Sequence, residues 1–151
     1  MSTITFRAIG GGAQIGANSY VIGADGHDIL LDCGLHPKKE GRTALPEFDL
    51  LERAPEAVLV SHGHIDHCGS VPYVMRDFPS APCYATRPTV SIMDRMLHNS
   101  VSVMGMLALE RGIKDYPLYS HNDVDNALRR CHGLHYEREF APTWDSPFRA
   151  S

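Results

Sequence analysis

A chain of 151 residues has room for one ordinary domain with a core of its own. Its 43% hydrophobic and 21% charged residues exclude a disordered tail, a collagen-like fibre and a coiled coil. The net charge of −4, from 14 basic against 18 acidic side chains, leaves no basic surplus for tight non-specific binding of nucleic acid by charge alone.

No apolar run approaches the ~20 residues of a membrane span. The amino-terminal stretch from Met1 to Arg7 has neither the basic nor the apolar region of a signal peptide. Cys33, Cys68, Cys83 and Cys131 show no CxxC spacing and no dense disulfide pattern, so a cytoplasmic protein with reduced thiols is expected.

In chain order, residues 3–9 alternate in the strand manner and stop at Gly10-Gly11-Gly12. Residues 18–22 and 28–32 read as two further strands around a turn at Gly23–Gly26, which together suggest an antiparallel meander. Residues 34–46 have loop composition, and 48–53 suit a helical turn. The apolar run 55–60 reads as a strand buried on both faces. Ser70 can cap a helix with Pro72 in its first turn, ending near Asp77. Residues 83–86 form another strand, and 88 to about 109 a long helix, with Val90, Met93, Met96 and Leu97 at 3–4 spacing. Ser120 with Asp123 three residues later opens a third helix that places Val124, Ala127, Leu128 and Cys131 on one face. Residues 133–140 read as a last strand. The fold class is α/β with mixed layers and no internal domain boundary.

The strongest chemical signal is His62-Gly63-His64-Ile65-Asp66-His67, immediately after the buried strand. Alternate residues of an extended segment point to the same side, so His62 and His64 can share one metal ion. If the chain then turns, Asp66 and His67 can face a second ion beside it. The competing reading is a polar surface loop that happens to be rich in histidine. Ligand density and placement at the carboxyl end of a strand favour the metal.

These residues resemble the metallo-β-lactamase superfamily, whose hallmark is HxHxDH after a strand. The flanks Gly11-Gly12-Ala13, Ile15-Gly16-Ala17-Asn18, Leu30-Leu31-Asp32-Cys33-Gly34 and Cys68-Gly69-Ser70-Val71-Pro72-Tyr73 look like its β-CASP branch, that of ribonuclease J and the endonucleases of messenger-RNA 3′-end processing. Tyr84–Thr89 and 119–128 also fit that pattern. The resemblance implies an αβ/βα sandwich of two sheets packed face to face. It implies a zinc-dependent hydrolase with two ions in the complete family site, activating water against an RNA phosphodiester. Across that likeness, His62 and His64 hold the first metal, and Asp66 and His67 the second. Asp66 carries a catalytic role by ligating and orienting. Asp32, the other carboxylate in the catalytic set, keeps the metal loop in shape, a task for which a carboxylate beside an imidazole is suited. Judged without the resemblance, Asp32 is equally a turn residue before Gly34.

The chain also departs from the family. The third histidine of the first metal's shell, expected in a Gly-His-x-x-Gly-Ser-like segment, has no counterpart, since His98, His121, His132 and His135 lie in other contexts. The bridging aspartate is missing as well. The expectation is therefore a single, incomplete domain over residues 1–151, the first half of the sandwich, holding one zinc or none. A bare inner sheet face would follow, covered in a homo-oligomer or by a complementing partner. The alternative function is a non-catalytic metal-binding or assembly module. A thioesterase or lactonase of the same superfamily fits the flanks less well.

Other signals are weaker. Gly10–Gly16 with Asp32 imitates a dinucleotide fingerprint, but a strand follows where that motif needs a helix. The remaining histidines read as solvent-facing or locally bonded. His36 reads as a loop residue near the metal mouth, within reach of a substrate. Met93, Met96, Met104 and Met106 read as packing, and Trp144 and Phe148 as apolar groups that could dock on the open face.

Overall fold

The computed structural model describes residues 3–142 and 145–149. Strands β1 (Ile4–Gly10), β2 (Ser19–Ala24) and β3 (His27–Leu31) form the antiparallel meander. Asp25 and Gly26 join β2 to β3 with φ of 49° and 87°, the left-handed pair that a two-residue hairpin requires. Beyond β3 the sheet becomes parallel through β4 (Ala57–Leu59), β5 (Cys83–Thr86) and β6 (Cys131–Leu134), giving the order β1-β2-β3-β4-β5-β6.

The crossover from β3 to β4 carries only short 3-10 turns at Gly41–Ala44 and Phe48–Leu50, and the next two carry α-helices. Short helices α1 (Ile65–Cys68) and α2 (Val71–Asp77) follow β4. After β5 come α3 (Arg87–Arg111) and α4 (His121–Arg129). Of the two expected caps, Ser120 with Asp123 closes its capping box on α4, whereas Ser70 precedes α2 without a side-chain cap because its hydroxyl donates instead to the Gly34 carbonyl at 2.9 Å. On α3, Thr86 accepts from the Thr89 amide and Gly112 ends the helix at φ 66°. Among the described residues no helix is long and apolar enough to cross a membrane.

The last strand lies earlier than its composition suggests. It spans Cys131–Leu134 rather than 133–140, and Cys131 belongs to it rather than to the apolar face of α4. The Cys83 amide donates to the Arg130 carbonyl at 3.0 Å, and the register then pairs Cys83 with Cys131 and Thr86 with Leu134. A strand alongside β5 has only four partners, so pairing stops there and the chain leaves the sheet.

All the helices that carry the core lie on one face. Val21, Leu30, Val58, Cys83 and Ala85 from the sheet pack with Val71, Val74 and Met75 of α2, Met93 and Leu97 of α3, and Val124 and Ala127 of α4. Met93 and Met104 are buried in this cluster, whereas Met106 is exposed. The register puts Ile4, Phe6, Tyr20, Ile22, Leu31 and Leu59 on the opposite face. There Ile4 is 76% and Phe6 64% exposed. The expected bare face exists at the β1–β2 end only. At the other end the carboxyl-terminal segment crosses it: the Phe140 ring lies 5.1 Å from that of Tyr84, and the Tyr84 hydroxyl donates to the Pro142 carbonyl at 2.8 Å. Phe148 is half-buried in this segment, and Trp144 lies outside the described residues.

Candidate metal centre

Strand β4 ends at Leu59 and delivers Ser61 to His67 at its carboxyl end. His64 lies on extended backbone just before α1, with φ −75° and ψ 146°. The turn of α1 then swings Asp66 and His67 round. Three imidazoles converge: the His62 ring lies 4.8 Å from that of His64 and 4.1 Å from that of His67. The Asp66 carboxylate reaches within 3.6 Å of His67 Nε2. His64 is exposed and the other two rings half-buried, so the cluster opens to solvent.

The chain beyond β3, together with Asn18 just before β2, holds α1 in place. Amides of Cys33, Leu35 and Asn18 donate to the carbonyls of His67 at 2.8 Å, Ile65 at 2.9 Å and Asp66 at 3.0 Å. This stitching is possible because residue 34 lacks a side chain. A Cβ at Gly34 would lie 1.8 Å from the Asp66 carbonyl oxygen, a distance no substitution could tolerate without moving the loop.

Asp32 sits just past β3 in the left-handed region, φ 59°, and is buried. Its Oδ1 accepts from the Ser61 amide at 2.7 Å; its Oδ2 accepts from the Ser61 hydroxyl at 2.7 Å and from His67 Nδ1 at 2.8 Å. Three donors converge on this carboxylate, which places Asp32 to orient Ser61 and His67. Asn18 Nδ2 faces His67 Nε2 at 3.2 Å and the Asp66 carboxylate at 3.4 Å.

Among the described residues, no group of three or more His, Cys, Asp or Glu side chains is arranged so that it could hold a metal ion. The chemistry of the donor set nonetheless fits zinc. A carboxylate acceptor at His67 Nδ1 fixes the proton there and leaves a lone pair on Nε2, the nitrogen beside Asp66. Imidazole and carboxylate are ordinary zinc ligands. Burial, with Asp32 adding to it, pushes the nearby Cys33 thiol well above the usual range and Cys68 up to about 12.

Reading the sequence alone missed Ser61 and Asn18 as parts of this centre. Ser61 adjoins the motif and could have been suspected; Asn18 stands in one of the flanks that carry the resemblance, but it lies 48 residues from Asp66 and nothing near it in sequence points to the metal loop. His98 and His121 are locally bonded to each other, with Nδ1 atoms 2.7 Å apart, and do not join the centre. His36 lines a cavity of about 360 Å³ together with Ile65 of the metal loop and Lys38, Lys39, Met96 and Met104. The glycine run 10–12 leads into β2, with no helix to receive a dinucleotide.

A mixed sheet with helices on one face, and HxHxDH at the carboxyl end of a parallel strand, is the make-up of the metallo-β-lactamase class. The family described as "Metallo-beta-lactamase superfamily" matches residues 13–141, and the chain belongs to it. Among its relatives, Endoribonuclease YSH1 of Candida glabrata is 31% identical over 133 residues, covering 87% of this chain and 17% of that protein. Ribonuclease TTHA0252 of Thermus thermophilus is 32% identical over 127 residues, covering 84% and 27%. Cleavage and polyadenylation specificity factor 73 of Drosophila melanogaster is 27% identical over 138 residues, covering 90% and 19%. The chain thus spans less than a third of the length of these relatives, matching their amino-terminal part. A crystal structure of a protein of unknown function from Enterococcus faecalis V583 superposes with TM-score 0.55 at 17% identity, over 91% of this chain and 35% of that one, a likeness of fold.

Proposed function

We propose that the chain is the metal-loop half of a zinc-dependent hydrolase domain acting on RNA phosphodiesters, in which His62, His64, Asp66 and His67 hold the metal. The convergence of the three imidazoles on one open mouth carries this reading. The names of the endoribonuclease relatives support the RNA substrate. Bound zinc supplies Lewis acidity toward water and a phosphodiester oxygen. The protein's own part is to orient: Asp32 holds His67, and α1 presents Asp66 beside it. Four free cysteines, three of them buried, suit a reduced cytoplasmic setting.

The test is zinc content and turnover. Purified protein loaded with zinc and dialysed should retain at least one ion per chain and cleave RNA or a model phosphodiester, and His64→Ala should abolish both. A folded protein that retains no zinc would sink the reading. Retention without turnover would leave the metal-binding module, which the incomplete donor set favours as the second reading.

The open face around Ile4 and Phe6 supports a further part of the proposal, that a second layer covers it, from another copy or a complementing chain. Sedimentation should find wild type larger than a monomer and Phe6→Glu shifted toward monomer. A monomeric wild type would rule out self-association and leave the complementing chain.

A further inference from the structure

Ser61 carries no role in the reading above, yet its hydroxyl lies between the carboxylate of Asp32 and the ring of His62. Its Oγ is 2.7 Å from Asp32 Oδ2 and 3.0 Å from His62 Nδ1. A serine hydroxyl has one hydrogen to give and lone pairs with which to accept. An ionised carboxylate can only accept, so that hydrogen goes to Asp32. What remains toward His62 is an acceptor, and a neutral imidazole meets an acceptor with an N–H. The proton of His62 therefore rests on Nδ1 and the lone pair on Nε2.

The same count applies at His67, where Asp32 takes the Nδ1 proton directly at 2.8 Å. Asn18 Nδ2, a donor, stands 3.2 Å from His67 Nε2, as it should if that nitrogen bears the lone pair. One carboxylate would thus set two rings, one by contact and one through a hydroxyl. The two rings, 4.1 Å apart, would present the same nitrogen to the mouth.

We infer that Ser61 is a positioning residue, relaying the acceptor character of Asp32 to His62 and so fixing its metal-binding tautomer. The inference rests on the reading of His62 as a ligand, and it adds how that ligand is prepared before any metal arrives.

The test uses metal-free protein labelled with ¹⁵N at histidine, held well above the ordinary imidazole pKa of ~6.5 so that the rings are neutral. Long-range proton–nitrogen correlations distinguish a protonated Nδ1 from a protonated Nε2. In wild type, His62 and His67 should both carry the proton on Nδ1. In Ser61→Ala, His62 should move to mixed or Nε2-protonated form while His67, held by Asp32, stays as it was. The Ser61 amide bond to Asp32 survives this change, so a native circular dichroism spectrum is expected. Zinc affinity should fall about 10–100-fold, the usual effect of removing an outer partner of a ligand. Ser61→Thr, which restores a hydroxyl, should recover both readouts.

Wild-type His62 protonated on Nε2 would overturn the inference, as would a tautomer indifferent to Ser61→Ala, or one that changes with no effect on zinc. If wild type shows the predicted tautomers but binds no zinc, the hydrolase reading fails and the metal role of Ser61 falls with it. The hydroxyl relay itself would then stand as a structural feature only.

Discussion

Asp32→Asn should weaken zinc binding by about 10–100-fold while leaving the chain folded, because it turns one of the acceptors at the heart of the centre into a donor. Asparagine fits the left-handed backbone that residue 32 adopts, so the strand exit is kept. The amide can be placed in two ways, and both fail. With its oxygen on the Ser61 amide, its NH₂ faces the Ser61 hydroxyl and His67 Nδ1. Turned over, the NH₂ faces the Ser61 amide, which is also a donor. In the first case His67 is driven to carry its proton on Nε2, where the metal needs a lone pair. Loss of the charge-assisted bonds should cost about 1–3 kcal/mol of stability, visible as a lower denaturation midpoint with a native circular dichroism spectrum. Competition with a chromophoric chelator measures the affinity. Zinc binding within twofold of wild type would show that Asp32 is only a turn residue.

Leu30→Ala should be the most damaging truncation in the core. Leu30 lies in β3 between the antiparallel and parallel halves of the sheet, is 0% exposed, and packs in the single cluster that the helices cover. Truncating a buried leucine costs about 2–5 kcal/mol, through lost transfer energy and the cavity left behind. Against a typical total of about 5–15 kcal/mol, that is a large fraction. At roughly 2–4 °C per kcal/mol for a chain of this size, the thermal midpoint should drop by roughly 4–20 °C. Phe6→Ala, on the open face, should move it little in dilute monomer, since surface changes stay within about 0.5 kcal/mol. Equal losses from the two substitutions would mean that the core is on the wrong side of the sheet.

The structure also explains which local signals were legible. The capping box at Ser120 and Pro72 in the first turn of α2 mark helix starts because one closes its hydrogen bonds within three residues and the other fixes its own φ. The meander was readable because its turns are short and its alternation obeys the period of two. The end of the last strand was not. Whether residues 135–140 pair depends on how many partners β5 offers, and nothing in those residues records that number.

The same division runs through the metal centre. Amino-acid order alone determined the donor types and their spacing, HxHxDH at the end of a buried strand, since ligand chemistry and alternation are local properties. Tertiary structure alone decided that Asp32, 35 residues from His67, orients that ring, that Asn18 faces its far nitrogen, and that Gly34 lets the backbone lie against Asp66. It also decided that the expected bare sheet face is open at one edge and crossed by the chain at the other. Contacts between distant segments are selected by the packing of the whole sheet and its helices, and no short stretch of residues carries the information that brings them together.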